Sequence, residues 1–183
     1  MSRYDALLEL IDQYKPKSIV EIGVWNGANA IRMIKRAHRY NTDVTYTGYD
    51  LFEDATLETD QKEFNVKGHN NIRAVAAYIK AETGIAVNLI KGDTNQTLQP
   101  TEADFVFLDG GHSVETIAHD YKMVQSSKIV VLDDYYTSDG VGCPDTGKYG
   151  CNSLLGHINR PFDILPNRDP VRGGGYTQLV VVR

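Results

Sequence analysis

Two apolar runs that stop at acids carry the densest chemistry in this chain of 183 residues: Phe105-Val-Phe-Leu-Asp109-Gly-Gly-His112 and Val130-Val-Leu-Asp133-Asp134. A short apolar run ending in acids is the pattern of a buried strand that delivers carboxylates at its carboxyl end. Oxygen donors of this kind suit Mg²⁺ or another hard divalent cation, so Asp109, Asp133 and Asp134 are candidate metal ligands. The ordinary alternative is that these acids are solvated or cap the segments that follow, and adjacent Asp133 and Asp134 need not point the same way. His112 follows Asp109 by three residues. Its imidazole, with a reference pKa of about 6.5, is a candidate general base, against the plainer reading of a histidine at a helix start.

A glycine turn provides the second chemical signal. Glu21-Ile-Gly23-Val-Trp25-Asn26-Gly27 follows the apolar run from Ser18 and precedes Ala30, Ile31, Ile34 and Ala37 at helical spacing. The glycines therefore lie between a strand and a helix, where backbone can approach a ligand closely. Dinucleotide sites require a glycine where Trp25 stands, because the pyrophosphate must touch backbone there. A ligand bearing an ammonium and a sulfonium needs no phosphate contact and gains from the nearby carboxylate of Glu21. S-adenosylmethionine is such a ligand, and an ordinary tight turn is the alternative.

Positioning these groups requires a layered α/β frame. Strands are predicted at 18–23, 44–50, 86–91, 104–109 and 128–134, with helical patterns between them. One helical pattern is Ile72, Val75, Ala76 and Ile79, and another is Val114, Ile117, Ala118 and Tyr121 with Ser113 as its N-cap. Strands alternating with helices imply a parallel sheet with the acids at its carboxyl edge. Tyr4, Leu7, Leu8, Ile11 and Tyr14 predict an opening amphipathic helix that caps a sheet edge in a structural role. A short helix is expected near 152–159, and 161–165 with 176–182 read as a closing antiparallel hairpin. The predicted fold is a doubly wound, mostly parallel seven-stranded sheet with helices on both faces, formed by one domain over 1–183.

A net charge of −5 argues against nucleic acid as a partner. The opening residues lack a leader pattern and no apolar run approaches membrane-spanning length, so a soluble cytoplasmic protein is expected. Cys143 and Cys151 read as free thiols, since His157 completes no familiar zinc spacing with them. Tyr135, Tyr136 and the segment 137–150 are expected to border an acceptor pocket, with Asp139, Asp145, Lys148 and Arg172 adding polar contacts suited to a small hydroxylated molecule. A homo-oligomer is compatible with these features.

Taken together, the ordered motifs resemble the Rossmann-like S-adenosylmethionine-dependent methyltransferases over nearly the whole chain. The 21–27 segment is similar to their first motif, and Tyr49-Asp50-Leu-Phe52 stands where the family's acid holds the ribose hydroxyls. Lys91-Gly-Asp93-Thr94 stands where the adenine amine is met, although Gly-Asp-Thr-Asn is also ordinary turn chemistry. The last two acidic motifs resemble the metal-dependent O-methyltransferases, most of all the macrocin type and more distantly the catechol type. That resemblance implies Asp109 near the donor as well as the metal, and Asp134 stands where the catechol type has Asn. His112 stands where the macrocin type has His and the catechol type a catalytic Lys. It implies methyl transfer to a hydroxyl of a small molecule such as a polyol or a catechol-like diol. Gln125-Ser-Ser127 departs from the Leu-x-Pro-Gly-Gly turn of many relatives. Nicotinamide-dependent redox chemistry and non-catalytic cofactor binding are the competing readings.

Overall fold

Alternate residues of the central strands feed two apolar layers. Ile19, Phe105, Phe107, Val131 and Val181 pack on one face of the sheet. Val20, Ile22, Val106, Leu108, Val130, Leu132, Val180 and Val182 pack on the other. Strands apolar on both faces belong in the middle of a helix-covered sheet. The computed structural model, which describes residues 2–138, 142–171 and 173–183, has this organisation. Asp139 and Arg172, expected near an acceptor pocket, lie outside the described residues.

Seven strands form the sheet: β1 (Ser18–Ile22), β2 (Thr45–Asp50), β3 (Asn88–Lys91), β4 (Phe105–Leu108), β5 (Ile129–Thr137), β6 (Phe162–Pro170) and β7 (Tyr176–Val182). Their order is β3-β2-β1-β4-β5-β7-β6. The first five run parallel, while β7 is antiparallel to both β5 and β6. The predicted doubly wound sheet with its terminal hairpin is therefore present. β6 extends further than its apolar run indicated, and its mostly exposed outer edge contains Pro166 and Pro170, residues that blunt further strand pairing.

Among the described residues, six α-helices connect the sheet: α1 (Arg3–Tyr14), α2 (Ala28–His38), α3 (Leu57–Lys62), α4 (Ile72–Thr83), α5 (Thr94–Thr97) and α6 (Val114–Val124). Two 3₁₀ turns, Phe52–Asp54 and Asn152–His157, complete the order. Ser2 and Asp5 form a reciprocal capping box that starts α1, a device worth about 1 kcal/mol. α1 lies at the β6 edge of the sheet, as expected, and also extends over the adjoining face. Its Leu7, Leu10 and Ile11 are buried in the layer over the sheet face, and the helix packs on α2, β6 and β7. The periodicity identified the apolar stripe, but which surface covered it depended on where β6 and β7 lay. Among the described residues, no helix is long and apolar enough to cross a membrane. Cys143 is exposed, Cys151 is buried, and both are free thiols.

Order reverses between β1 and β4, which opens a crevice at their carboxyl ends. Gly23 closes its floor with φ at +93°, and a Cβ there would lie 2.0 Å from the Asp109 carbonyl oxygen. Close approach of β4 therefore demands this glycine directly. Gly23→Ala is expected to destabilise the fold by about 3 kcal/mol or more, from backbone strain plus steric overlap. Denaturant unfolding checks the value, and an unchanged midpoint would refute the packing role.

Candidate active site

Asp50 ends β2 with both carboxylate oxygens aimed at backbone donors. The Trp25 N–H donates to Oδ2 at 2.8 Å and the Phe52 N–H donates to Oδ1 at 2.7 Å. These bonds hold the acid at the cleft wall while leaving lone pairs for two vicinal hydroxyls. At the end of β3, Asp93 caps α5 by accepting from the Asn95 N–H at 2.9 Å, and both Asp93 and Thr94 line the cleft. Gly23, Trp25, Asp109 and His112 line it too. Together they form one continuous cleft that opens to solvent.

Other residues of the glycine motif serve the frame. Asn26 accepts from the Ala28 N–H at 3.0 Å, and a Cβ on Gly27 would meet Ile79 at 2.9 Å, so Gly27 lets α2 pack on α4. Phe52 is wholly buried and reaches the site only through its backbone N–H. Glu21 does not form the cleft wall. It is wholly buried, accepts a hydrogen bond from the Tyr46 hydroxyl, and has no partner for Oε1. Burial pushes its carboxyl up to about 8, the Tyr46 bond opposing and Asp50 assisting. At neutral pH it is mainly a neutral acid, so it does not supply the negative charge expected from its place beside the turn.

Four groups gather on the other side of Asp109. Sequence reasoning left the mutual direction of Asp133 and Asp134 open, and the backbone resolves it. Between Leu132 and Tyr135, β5 carries one residue more than β7 does, and Asp134 takes φ of +63° in this bulge. The bulge buries both side chains at the cleft end, a common use of bulges near functional sites. Asp134 accepts from the Thr177 hydroxyl at 3.4 Å, and its Oδ2 lies 3.3 Å from His112 Nε2. His112 Nδ1 is 2.7 Å from the Glu63 carbonyl oxygen, which can only accept. The proton on Nδ1 is thereby assigned, and Nε2 is left to face Asp134.

Arg3 and Tyr4, from the helix expected to be purely structural, complete the cluster. Arg3 Nε donates to Asp133 Oδ1 and Oδ2 at 2.8 and 3.1 Å, and the Tyr4 hydroxyl donates to Asp109 Oδ2 at 3.1 Å. Burial by itself depresses the Arg3 guanidinium, but Asp133 outweighs it and the group is held more firmly charged. Burial pushes Asp109 far above the usual carboxylate range, with Asp133 and Asp134 adding to it. Asp134 is raised by burial and Asp133, while His112 acts in the opposite sense. A basic residue in the first turn opposes the helix dipole. That misplaced charge is the local sign that could have pointed to Arg3.

A strap across the cleft also escaped sequence reasoning. Glu63, just beyond α3, accepts from the Ser113 N–H at 2.8 Å and the Thr116 hydroxyl at 2.6 Å, anchoring the strap to the start of α6. His69 pairs with Asp60 at 2.8 Å, and Trp25 Nε1 donates to the Gly68 carbonyl at 2.8 Å. α3 buries none of its residues, so no apolar period marked it. The Thr56–Thr59 capping pair was its readable sign.

A family model described as "Methyltransferase domain" matches residues 20–135, nearly from the first strand through the acidic pair of β5. The chain belongs to this family. With its sheet order, that membership makes it a class I S-adenosylmethionine-dependent methyltransferase and sets aside the nicotinamide reading. Solved structures share the fold. An O-methyltransferase, TomG, from Streptomyces achromogenes, involved in tomaymycin synthesis and solved with S-adenosylmethionine, is 18% identical with a TM-score of 0.63, covering 98% of this chain and 78% of that one. An O-methyltransferase from Bacillus cereus solved with S-adenosylhomocysteine is 14% identical with a TM-score of 0.60, covering 98% and 79%. The methyltransferase domain of bacterial CtHen1 is 10% identical with a TM-score of 0.58, covering 99% and 97%. No curated protein matches the chain.

The expected Mg²⁺ is not shown, and the acids that would hold it are already engaged by other side chains. Asp109, Asp133 and Asp134 do converge, but among the described residues no group of three or more His, Cys, Asp or Glu side chains is arranged to hold a metal ion. Both oxygens of Asp133 are committed to Arg3, one oxygen of Asp109 to Tyr4, and Asp134 to Thr177 and His112. The donors as arranged do not fit a divalent cation, because a guanidinium already stands against them.

Glu21 provides a pH test of the frame. Unfolded, its proton leaves near 4.5, whereas the fold retains it to about 8. The folded state therefore binds the extra proton. Its stabilising share is complete below the lower value and lost as pH rises through the upper one. Melting temperatures of Glu21→Gln are expected to decline less than those of the native chain between about pH 5 and pH 8. Identical slopes would show that Glu21 is ionised in the fold.

Proposed function

We propose that the chain transfers a methyl group from S-adenosylmethionine to a hydroxyl of a small molecule. The observation that carries this reading is one continuous cleft with Asp50 on one wall and His112, backed by Asp134, on another. The two O-methyltransferases solved with the methyl donor or its product share this fold and support the reading. S-adenosylmethionine supplies, when bound, a methyl carbon made electrophilic by a sulfonium.

The residues of the cleft fit that donor. Asp50 is held to accept from ribose hydroxyls, and Asp93 and Thr94 lie at the next strand end to meet the base. The Gly23–Trp25 backbone and the Asp109 side chain, which line the same cleft, meet the amino-acid end. His112 Nε2 accepts the hydroxyl proton of the acceptor as its oxygen attacks the methyl carbon. An O–C bond forms, the S–C bond breaks, and the neutral thioether departs. Asp134 steadies the resulting imidazolium, while the Glu63 carbonyl holds Nδ1–H and keeps the reactive nitrogen turned inward. No step passes through the expected metal, whose place among the acids is engaged by Arg3.

Calorimetry separates donor recognition from catalysis. S-adenosylmethionine and S-adenosylhomocysteine are expected to bind and NAD not to bind. Asp50→Ala should weaken binding by about 10- to 100-fold, the worth of one or two bonds to a charged group. Tight NAD binding with no affinity for the methyl-donor pair would overturn the reading. Screened against polyol and catechol-like acceptors, His112→Ala should lose about 10²- to 10⁴-fold in turnover while still binding S-adenosylhomocysteine. A folded variant with native turnover would remove His112 from the reaction.

A further inference from the structure

We infer that Arg3 acts as a resident cation at the acidic end of the cleft, occupying by a guanidinium the electrostatic position that a divalent ion would otherwise take. All three guanidinium nitrogens are engaged. Nε bridges the two oxygens of Asp133, Nη1 reaches Asp169 Oδ2 at 2.9 Å, and Nη2 donates to the Tyr4 hydroxyl at 2.9 Å. That hydroxyl in turn contacts Asp109 Oδ2 at 3.1 Å and Asp133 Oδ2 at 3.3 Å. Arg3 therefore touches one acid of the cluster directly and a second through Tyr4. The Asp133 side chain has no exposure, and that of Arg3 has 15%.

This burial decides the balance between the two cations. A carboxylate removed from water requires a partner charge, and a planar guanidinium, more weakly hydrated than a compact cation, meets both of its oxygens from within the chain. Mg²⁺ needs oxygens at about 2.0–2.1 Å in octahedral array and gives up its water reluctantly. To reach Asp133 it would have to approach the same oxygens as Arg3 against the repulsion of a like charge. Arg3 is also a positioning residue. Asp133 Oδ1 accepts from the Asp134 N–H at 2.8 Å, and Asp134 faces His112, so the guanidinium fixes the bulge that orients the imidazole.

The inference concerns ion occupancy and does not rest on the proposed acceptor or on methyl transfer being measurable. Mn²⁺ alone, followed by electron paramagnetic resonance and by its effect on melting temperature, is the probe. The native chain is expected to bind no Mn²⁺ at this cluster and to show no shift in melting temperature. Arg3→Met should bind one Mn²⁺ at least about tenfold more tightly than the native chain and gain melting temperature on its addition. Asp133→Asn placed on Arg3→Met should remove that binding. If Arg3→Met is unstable, rescue of its melting by Mn²⁺ supplies the same readout, and Arg3→Lys should restore stability without Mn²⁺. Native binding of one Mn²⁺ that Asp133→Asn abolishes would overturn the inference. Absence of Mn²⁺ binding in both native and Arg3→Met chains would equally overturn the assignment of a cation position to Arg3.

Discussion

A carboxylate cannot be buried without a positive partner, and Asp133 is buried completely at the carboxyl end of β5. Arg3 meets that requirement from the far end of the chain. The need for one contact thus brings α1, β5 and, through Asp169, β6 to a common point. α1 lies over the sheet face because its apolar stripe is buried there, and its first turn consequently reaches the site. Docking of the N-terminal helix therefore supplies the positive partner of Asp133.

Local backbone departures then convert a plain parallel sheet into a site. The bulge in β5 accommodates one extra residue and places Asp134 at φ +63°, where its carboxylate meets His112 and Thr177. Gly23 lacks the Cβ that would collide with the Asp109 carbonyl just beyond β4. The strap contributes Glu63 twice, by its carboxylate to the start of α6 and by its carbonyl to His112. The imidazole is therefore oriented from both sides, by a backbone acceptor at Nδ1 and an acid at Nε2. Such fixed orientation lowers the reorganisation needed when a proton is transferred.

Asp50, Asp93, Thr94, Asp109 and His112 were legible because strand ends in a doubly wound sheet share one edge, and apolar runs reveal where strands end. Glu21 and Asn26 of the glycine motif do not line the cleft, because Glu21 turns into the core toward Tyr46 and Asn26 accepts from the Ala28 N–H. Arg3, Tyr4 and Glu63 lacked any motif because their partners lie far away in the chain or on the backbone.

The succession of strands and helices along the chain, their apolar faces and the identity of the acids at the strand ends were determined by the linear pattern, since periodicity records which side chains must leave water. Tertiary structure alone decided which cation meets those acids. That choice depends on distances between residues 3, 109, 133 and 169, and no local propensity encodes a distance across the fold.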